Sequence, residues 1–307
     1  MRFLPQSEQV AFARSVGALL ADADTPSVIR AWAAGDPAPG RKLWTRLAEQ
    51  GVLSLGEADS GATPVDLVLT FEQLGRFAVP GPYVESIAVL PALGVAVGES
   101  VATLAAPPHV PYALDAGFAD AVYLLDGTRL AAAEPADEIR SVDGARRIAT
   151  VRATGAEAVV DPVAPFERGV LATAAQLLGL GAALLDRSVG YARSRSQFGK
   201  PIGSFQAVKH QLADVAVALD LARPLLFGAA LALDSPTAAR DVSAAKIACT
   251  DAAYLAARTA LQVHGAIGYT AEYDLALWLT KVRALVSAWG TQRFHRDRVF
   301  AAIGTAR

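Results

Sequence analysis

Apolar residues recur at helical spacing through the first hundred positions. Phe12, Val16, Leu19 and Leu20 share one face, and Leu43, Trp44 and Leu47 repeat the spacing. Asp66 is placed to N-cap a helix that opens at Leu67-Val68-Leu69 and runs through Glu72-Gln73-Leu74. Gly75 and the Pro80-Gly81-Pro82 cluster end it. From residue 105 to 165 the period shortens to that of strands. Residues 121–125 (AVYLL) read as a strand, Asp126-Gly127 as a hairpin turn and Arg129–Ala132 as its return. Arg147–Val151 and Ala158–Val160 are further short strands. From 166 to the end the helical period returns in four long stretches: Val170–Arg195, Phe205–Leu233, a helix to Val263 that opens at an N-capping Ser235 with Pro236 in its first turn, and one from Asp274 onward. Pro224 is expected to kink or divide the second.

This pattern predicts a mainly α protein in three parts: an N-terminal helical domain over 1–104, a truncated β domain over 105–165, and a C-terminal four-helix bundle over 166–307. A β region of that size is marginal by itself, so it is expected to lean on the helices. With 53% hydrophobic and 19% charged residues, disorder is excluded. A net charge of -2 gives no basic footprint for nucleic acid or a membrane surface. The N-terminal stretch carries Glu8 and Asp22 and has no signal-peptide pattern. Cys249 is the lone cysteine, so no disulfide framework exists, and a cytoplasmic location is expected. His109, His210, His264 and His295 have no metal-ligand spacing.

Two stretches carry candidate chemistry: YARSRSQFGKPIGSFQAVKH at 191–210 and QVHGAIGYTAEY at 262–273. A dinucleotide needs cations or amides for its pyrophosphate and a flat surface for its adenine. Arg195 offers a planar, permanently charged fork, and Phe198 stands three residues on, beside Gly199. The Gly265–Gly268 turn exposes backbone amides to a closely approaching ligand. On chemistry alone the other readings stay open. Arg193 and Arg195 equally suit the C-terminal dipole of their helix, Phe198 and Phe205 a core, and the glycines an ordinary helix end.

In this order, and with Trp44-x-x-Leu47-Ala48-Glu49-x-Gly51 and FEQLGR at 71–76, these segments resemble the acyl-CoA dehydrogenase family over nearly the whole chain, faintly only across the β region. The resemblance implies a flavoprotein oxidoreductase that desaturates CoA thioesters. It also implies that Arg195, Phe198, Gln262 and Gly265 contact the adenine and pyrophosphate of FAD held mainly by a neighbouring subunit. Electron-transfer flavoprotein or a similar acceptor takes the electrons.

The sequence departs from the family in two places. The family's glutamate base commonly stands just before a Gly-Thr near the C-terminus, where this chain has Trp289-Gly290-Thr291; an indole donates a hydrogen bond and accepts no proton. The alternative family location, near the start of the first long C-terminal helix, has Glu167 as its nearest carboxylate, equally readable as a first-turn acid. The Thr-Glu-Pro/Gly-Ser segment that packs along the flavin ring is also missing, with Glu134-Pro135 its only echo. The expectation is therefore a subunit with no catalytic residue of its own. It would complete an α2β2 assembly with a homologous full-length subunit, as in actinobacterial heterotetramers acting on steroid-derived CoA thioesters. The alternatives are a self-sufficient homomer using a non-standard base such as Glu167, or a non-catalytic helical scaffold.

Overall fold

The structure, a computed structural model, describes residues 4–270 and 272–304. Four helices open the chain: α1 (Ser7–Ala21), α2 (Thr25–Ala33), α3 (Ala38–Glu49) and α4 (Pro64–Arg76). Helix α4 begins earlier than its sequence signal. Thr63 is the N-cap and Asp66 sits at the third helical position, where its Oδ2 accepts from the Thr63 amide at 2.9 Å and hydroxyl at 2.7 Å. Asp66 is thus the reciprocal partner of a capping box and not the cap itself. A short π-helical segment, Val84–Val89, follows, buried throughout.

Six strands form one sheet: β1 (Ala102–Ala105), β2 (Ala113–Leu114), β3 (Ala121–Asp126), β4 (Arg129–Ile139), β5 (Ile148–Ala153) and β6 (Ala158–Val159), in the order β1-β3-β4-β5-β2 with β6 also on β4. The β3–β4 hairpin turns at Asp126-Gly127 as its sequence predicts, and β1 joins β3 in parallel. Strands β1 and β2 had no sequence signal of their own, being short and almost wholly buried. One apolar core runs through both helical regions and the helix-facing side of the sheet. The opposite side carries only a small cluster of Ala105, Ala113, Ala116, Val122 and Ala149. The sheet therefore does lean on the helices.

The C-terminal region holds α5 (Val163–Ser194), a two-residue-per-strand hairpin of β7 (Ser196–Gln197) and β8 (Lys200–Pro201), α6 (Gln206–Leu231), α7 (Ala238–His264), α8 (Leu275–Leu285) and α9 (Gln292–Gly304). Helix α5 is long and apolar enough to cross a membrane, but most of that apolar run is buried inside the protein, where it packs against α4, α6, α7 and α8. Pro224 lies inside an undivided α6. Ser235 and Pro236 precede α7 in a turn, and Thr237 takes the N-cap position instead. The fourth bundle element is two shorter helices, α8 and α9, separated by a turn at residues 286–291.

Glycine on both sides allows a close crossing of α4 and α5. A Cβ on Gly179 of α5 would stand 2.0 Å from the Glu72 carbonyl oxygen of α4, and one on Gly75 of α4 would stand 2.1 Å from that of Gln176. Backbone meets backbone at this crossing. Arg223 of α6 then binds Glu72 through both guanidinium nitrogens, at 2.6 and 2.8 Å, and ties α6 to the same pair.

Candidate functional site

The turn between α8 and α9 carries Trp289. Lys246, buried on α7, donates to the Leu285 and Val286 carbonyls at 3.2 and 3.3 Å, satisfying acceptors that the end of α8 leaves open. The chain then reverses through two left-handed residues, Trp289 (φ 56°) and Gly290 (φ 104°). A bulky residue holds that conformation only where its surroundings over-determine it. Here they do. The indole is 2% exposed and lies against Gly169, where a Cβ would meet the ring at 2.6 Å, and Phe166, with ring centroids 5.8 Å apart. Its Nε1–H donates to Glu85 Oε1 at 3.3 Å.

Glu85 is 2% exposed, and its Oε2 has no partner among the described residues. Burial pushes its carboxyl above the usual carboxylate range, against the lowering influence of Arg146 and the Trp289 hydrogen bond. The position just before Gly290-Thr291 thus holds an aromatic plug, backed by a carboxylate it covers.

Glu167 lies on α5 two residues before Gly169. It is 3% exposed, and Arg298 of α9 binds both of its oxygens. Arg298 also donates to Ser243 Oγ at 3.0 Å. His295 Nε2 lies 3.0 Å from the Trp289 carbonyl, which only accepts, so Nε2 carries the proton. Nδ1 then accepts from the Ser243 hydroxyl at 3.1 Å. The polar chain runs Glu167, Arg298, Ser243, His295, Trp289 carbonyl, every partner satisfied. Burial first, then Lys246, holds the His295 imidazole down at about 3, so it stays neutral.

An apolar cleft of about 300 Å³ opens beside this chain, between the sheet and the start of α5. Phe166, Phe294, His109, Val89 and Leu125 line it, with Trp289 as one wall and the Glu167–Arg298 pair at its polar end. His109 lies 3.9 Å from the Phe294 ring, and burial, then Arg298, lower its pKa.

The other candidate residues lie at the far ends of α5 and α7. Tyr191, in the last turn of α5, stacks on His264, the last residue of α7, at 4.3 Å, so the two motif segments are brought to one end of the bundle. Arg195 follows α5 directly; its side chain is exposed and makes no ion pair with the described residues. Phe198 and Gly199 form the turn of the β7–β8 hairpin, both left-handed (φ 54° and 79°). Phe198 is 91% exposed, so it is not a core residue, and Phe205 meets it edge-on at 6.2 Å. Gln262 and Gly265 (φ 63°) line an open cleft of about 810 Å³ with Arg258 and Tyr269. Arg195 and Phe198 do not line that cleft; cation, aromatic face and open backbone stand at the same end of the bundle as separate surfaces, each of a kind suited to the adenine or the pyrophosphate of a dinucleotide. The fit stops there. Glu134 and Pro135 stand exposed on the outer part of β4 and line none of these clefts.

Sequence reasoning missed Glu85, Ser243, His295, Arg298 and Gly169. Glu85 did leave a signal, a lone carboxylate in the run Val84–Val89; Ser243 meets His295 and Arg298, and Glu167 meets Arg298, only across more than fifty residues of sequence, while the His295 contact with Trp289 spans six.

Residues 153–304 match the model of the acyl-CoA dehydrogenase C-terminal domain. Among curated proteins, acyl-CoA dehydrogenase IpdE2 of Mycobacterium tuberculosis is 29% identical over 90% of this chain and 91% of its own. Among solved structures, the ChsE4–ChsE5 complex of M. tuberculosis contains a chain with a TM-score of 0.85 at 21% identity, covering all of both chains. A Tcur3481–Tcur3483 steroid ACAD gives 0.84 at 19% identity, over 98% of this chain and 99% of that one.

Proposed function

From the premise that this chain belongs to the acyl-CoA dehydrogenase family of oxidoreductases, we propose that it is the non-base subunit of a two-component enzyme. It supplies the adenine and pyrophosphate contacts to FAD held with a partner subunit. The observation that carries this reading is the contrast between the two ends of the bundle. Arg195, Phe198, Gln262 and Gly265 stand open, while Trp289 fills the place of the base.

FAD, when bound, accepts the hydride that leaves the β-carbon of the thioester. What this chain's residues do is bind and exclude. The Arg195 fork neutralises pyrophosphate oxygens, Phe198 offers a face to adenine, and the amides near Gly265 approach the phosphates without a Cβ in the way. Trp289 keeps water and substrate out of the space beside Gly169. Glu167 does not stand in for the lost base, since Arg298 engages both its oxygens and keeps its charge paired.

The partner supplies the complete β domain, the flavin-ring contacts and the glutamate. The likeness in fold to one protomer of a two-component complex supports this. The likeness to a steroid ACAD supports a bulky, steroid-derived CoA thioester as substrate, with an electron-transfer flavoprotein or similar carrier as acceptor. The visible spectrum of the purified chain tests the reading. It is expected to be colourless alone and yellow in a 1:1 complex after co-expression with a full-length family subunit from the same genome. A yellow chain in the absence of any partner overturns it in favour of a self-sufficient homomer.

A further inference from the structure

Trp289 is also one wall of a small space of about 10 Å³, the room of a single water molecule. Four parts of the chain meet there. The π-helical segment brings Glu85, α5 brings Thr173 and Gln176, α8 brings Lys281, and the loop joining β4 to β5 brings Arg146.

The polar groups around this space are incompletely matched. Glu85 is 2% exposed; its Oε1 accepts from the Trp289 indole at 3.3 Å, and its Oε2 has no partner among the described residues. A buried carboxylate oxygen without a donor bears the full cost of its lost hydration. Lys281 is buried too, and of its three N–H groups one goes to the Val79 carbonyl, at 2.6 Å. The Thr173 hydroxyl gives its proton to the Gly169 carbonyl at 2.8 Å, so toward the space it can only accept.

Size and charge together choose the ligand. The volume admits nothing larger than water. Arg146 and Lys281 disfavour a cation. An anion is disfavoured by Glu85, and the two cations already have acidic neighbours: Glu85 and Asp115 feel the charge of Arg146, and Lys281 feels those of Asp143 and Asp115. A neutral molecule that both donates and accepts suits such a lining.

We propose that this space is a binding site for one ordered water, which donates to Glu85 Oε2 and accepts from the Lys281 ammonium or the Gln176 amide. The water steadies the carboxylate that receives the Trp289 indole, and it occupies the room left behind the plug, so no organic ligand enters there. The inference concerns this chain alone and stands whether or not flavin is shared with a partner.

A crystal structure of the full chain at a resolution that shows ordered waters tests this, with oxygen-17 relaxation dispersion counting long-lived waters in solution. A peak within hydrogen-bonding distance of Glu85 Oε2 is expected. Glu85→Met should remove it and lower the dispersion amplitude by about one water, the count that the cavity volume allows. Well-ordered side chains around the space with no peak overturn the proposal, as does Oε2 paired directly with a protein donor, or an amplitude that Glu85→Met leaves unchanged. Should that variant fail to fold, the wild-type peak decides the matter by itself.

Discussion

Arg298 shows how one side chain decides what its neighbours can do. Both Glu167 oxygens lie on its fork, with side-chain exposures of 21% for the arginine and 4% for the glutamate. Removing one partner leaves the other's charge in a nearly dry place, and Arg298→Met is expected to cost about 3 kcal/mol of stability, measured by urea unfolding. The double variant with Glu167→Gln should recover part of that loss, because no unpaired charge then remains. His295 makes a pH-dependent contribution. Its pKa falls from an ordinary 6.5 to about 3 on folding, so between those values the unfolded chain binds the extra proton. Its share of stability is full above about pH 6.5 and is lost as pH falls toward 3. Asp115, raised by burial to about 7, works the other way, its contribution weakening as pH rises from about 4 to 7. The difference between wild type and His295→Gln isolates the histidine: the stability gap should narrow from pH 7 to pH 3.5 in urea titrations.

At the scale of elements, the crossing of α4 and α5 leaves no room for a side chain. Alanine in a helix interior is ordinarily better than glycine by about 1 kcal/mol. At Gly179 the added Cβ would lie 2.0 Å from a backbone oxygen that no rotamer change can move. The clash wins, and Gly179→Ala is expected to lower stability by roughly 2 kcal/mol or more, seen as a lower urea midpoint with an unchanged m-value. Gly169 is a gentler case, since its neighbour is an indole and not backbone. The break between α8 and α9 belongs to this scale too. A single straight helix would carry Trp289 elsewhere, whereas two left-handed residues turn the indole inward onto Gly169 and Glu85.

For the whole molecule, the two ends of the bundle differ in how their functional side chains are exposed. At Trp289 and Glu167 the side chains are buried, and the Glu167 and Arg298 charges are paired with each other. Around Arg195 and Phe198 the structure is open, with an aromatic ring left in water. Apolar surface exposed in a left-handed turn stabilises nothing in the isolated chain. Arg195→Gln in the co-expressed complex is therefore expected to lower flavin content at least tenfold, read from the ratio of visible to protein absorbance. The 1:1 assembly, followed by light scattering, should stay intact. Splitting of the complex without a selective flavin loss would instead point to a scaffold role for this residue.

The sequence by itself determined the three-part order of helices, small sheet and helices, because apolar periodicity and turn residues act over a few positions. It also determined the β3–β4 hairpin and that a tryptophan, which accepts no proton, stands before Gly290-Thr291, a matter of identity at one position. Boundaries were legible only to within a few residues: Asp66 and Ser235 are both capping types, yet the caps are Thr63 and Thr237. The tertiary structure alone decided how Trp289 packs and what became of Glu167. Trp289 over Gly169, Glu85 beneath the indole, and the chain from Glu167 through Arg298, Ser243 and His295 join residues separated by tens to hundreds of positions. Local pattern cannot encode such meetings, since they depend on how closely α5 packs on its neighbours and on where the chain turns between α8 and α9.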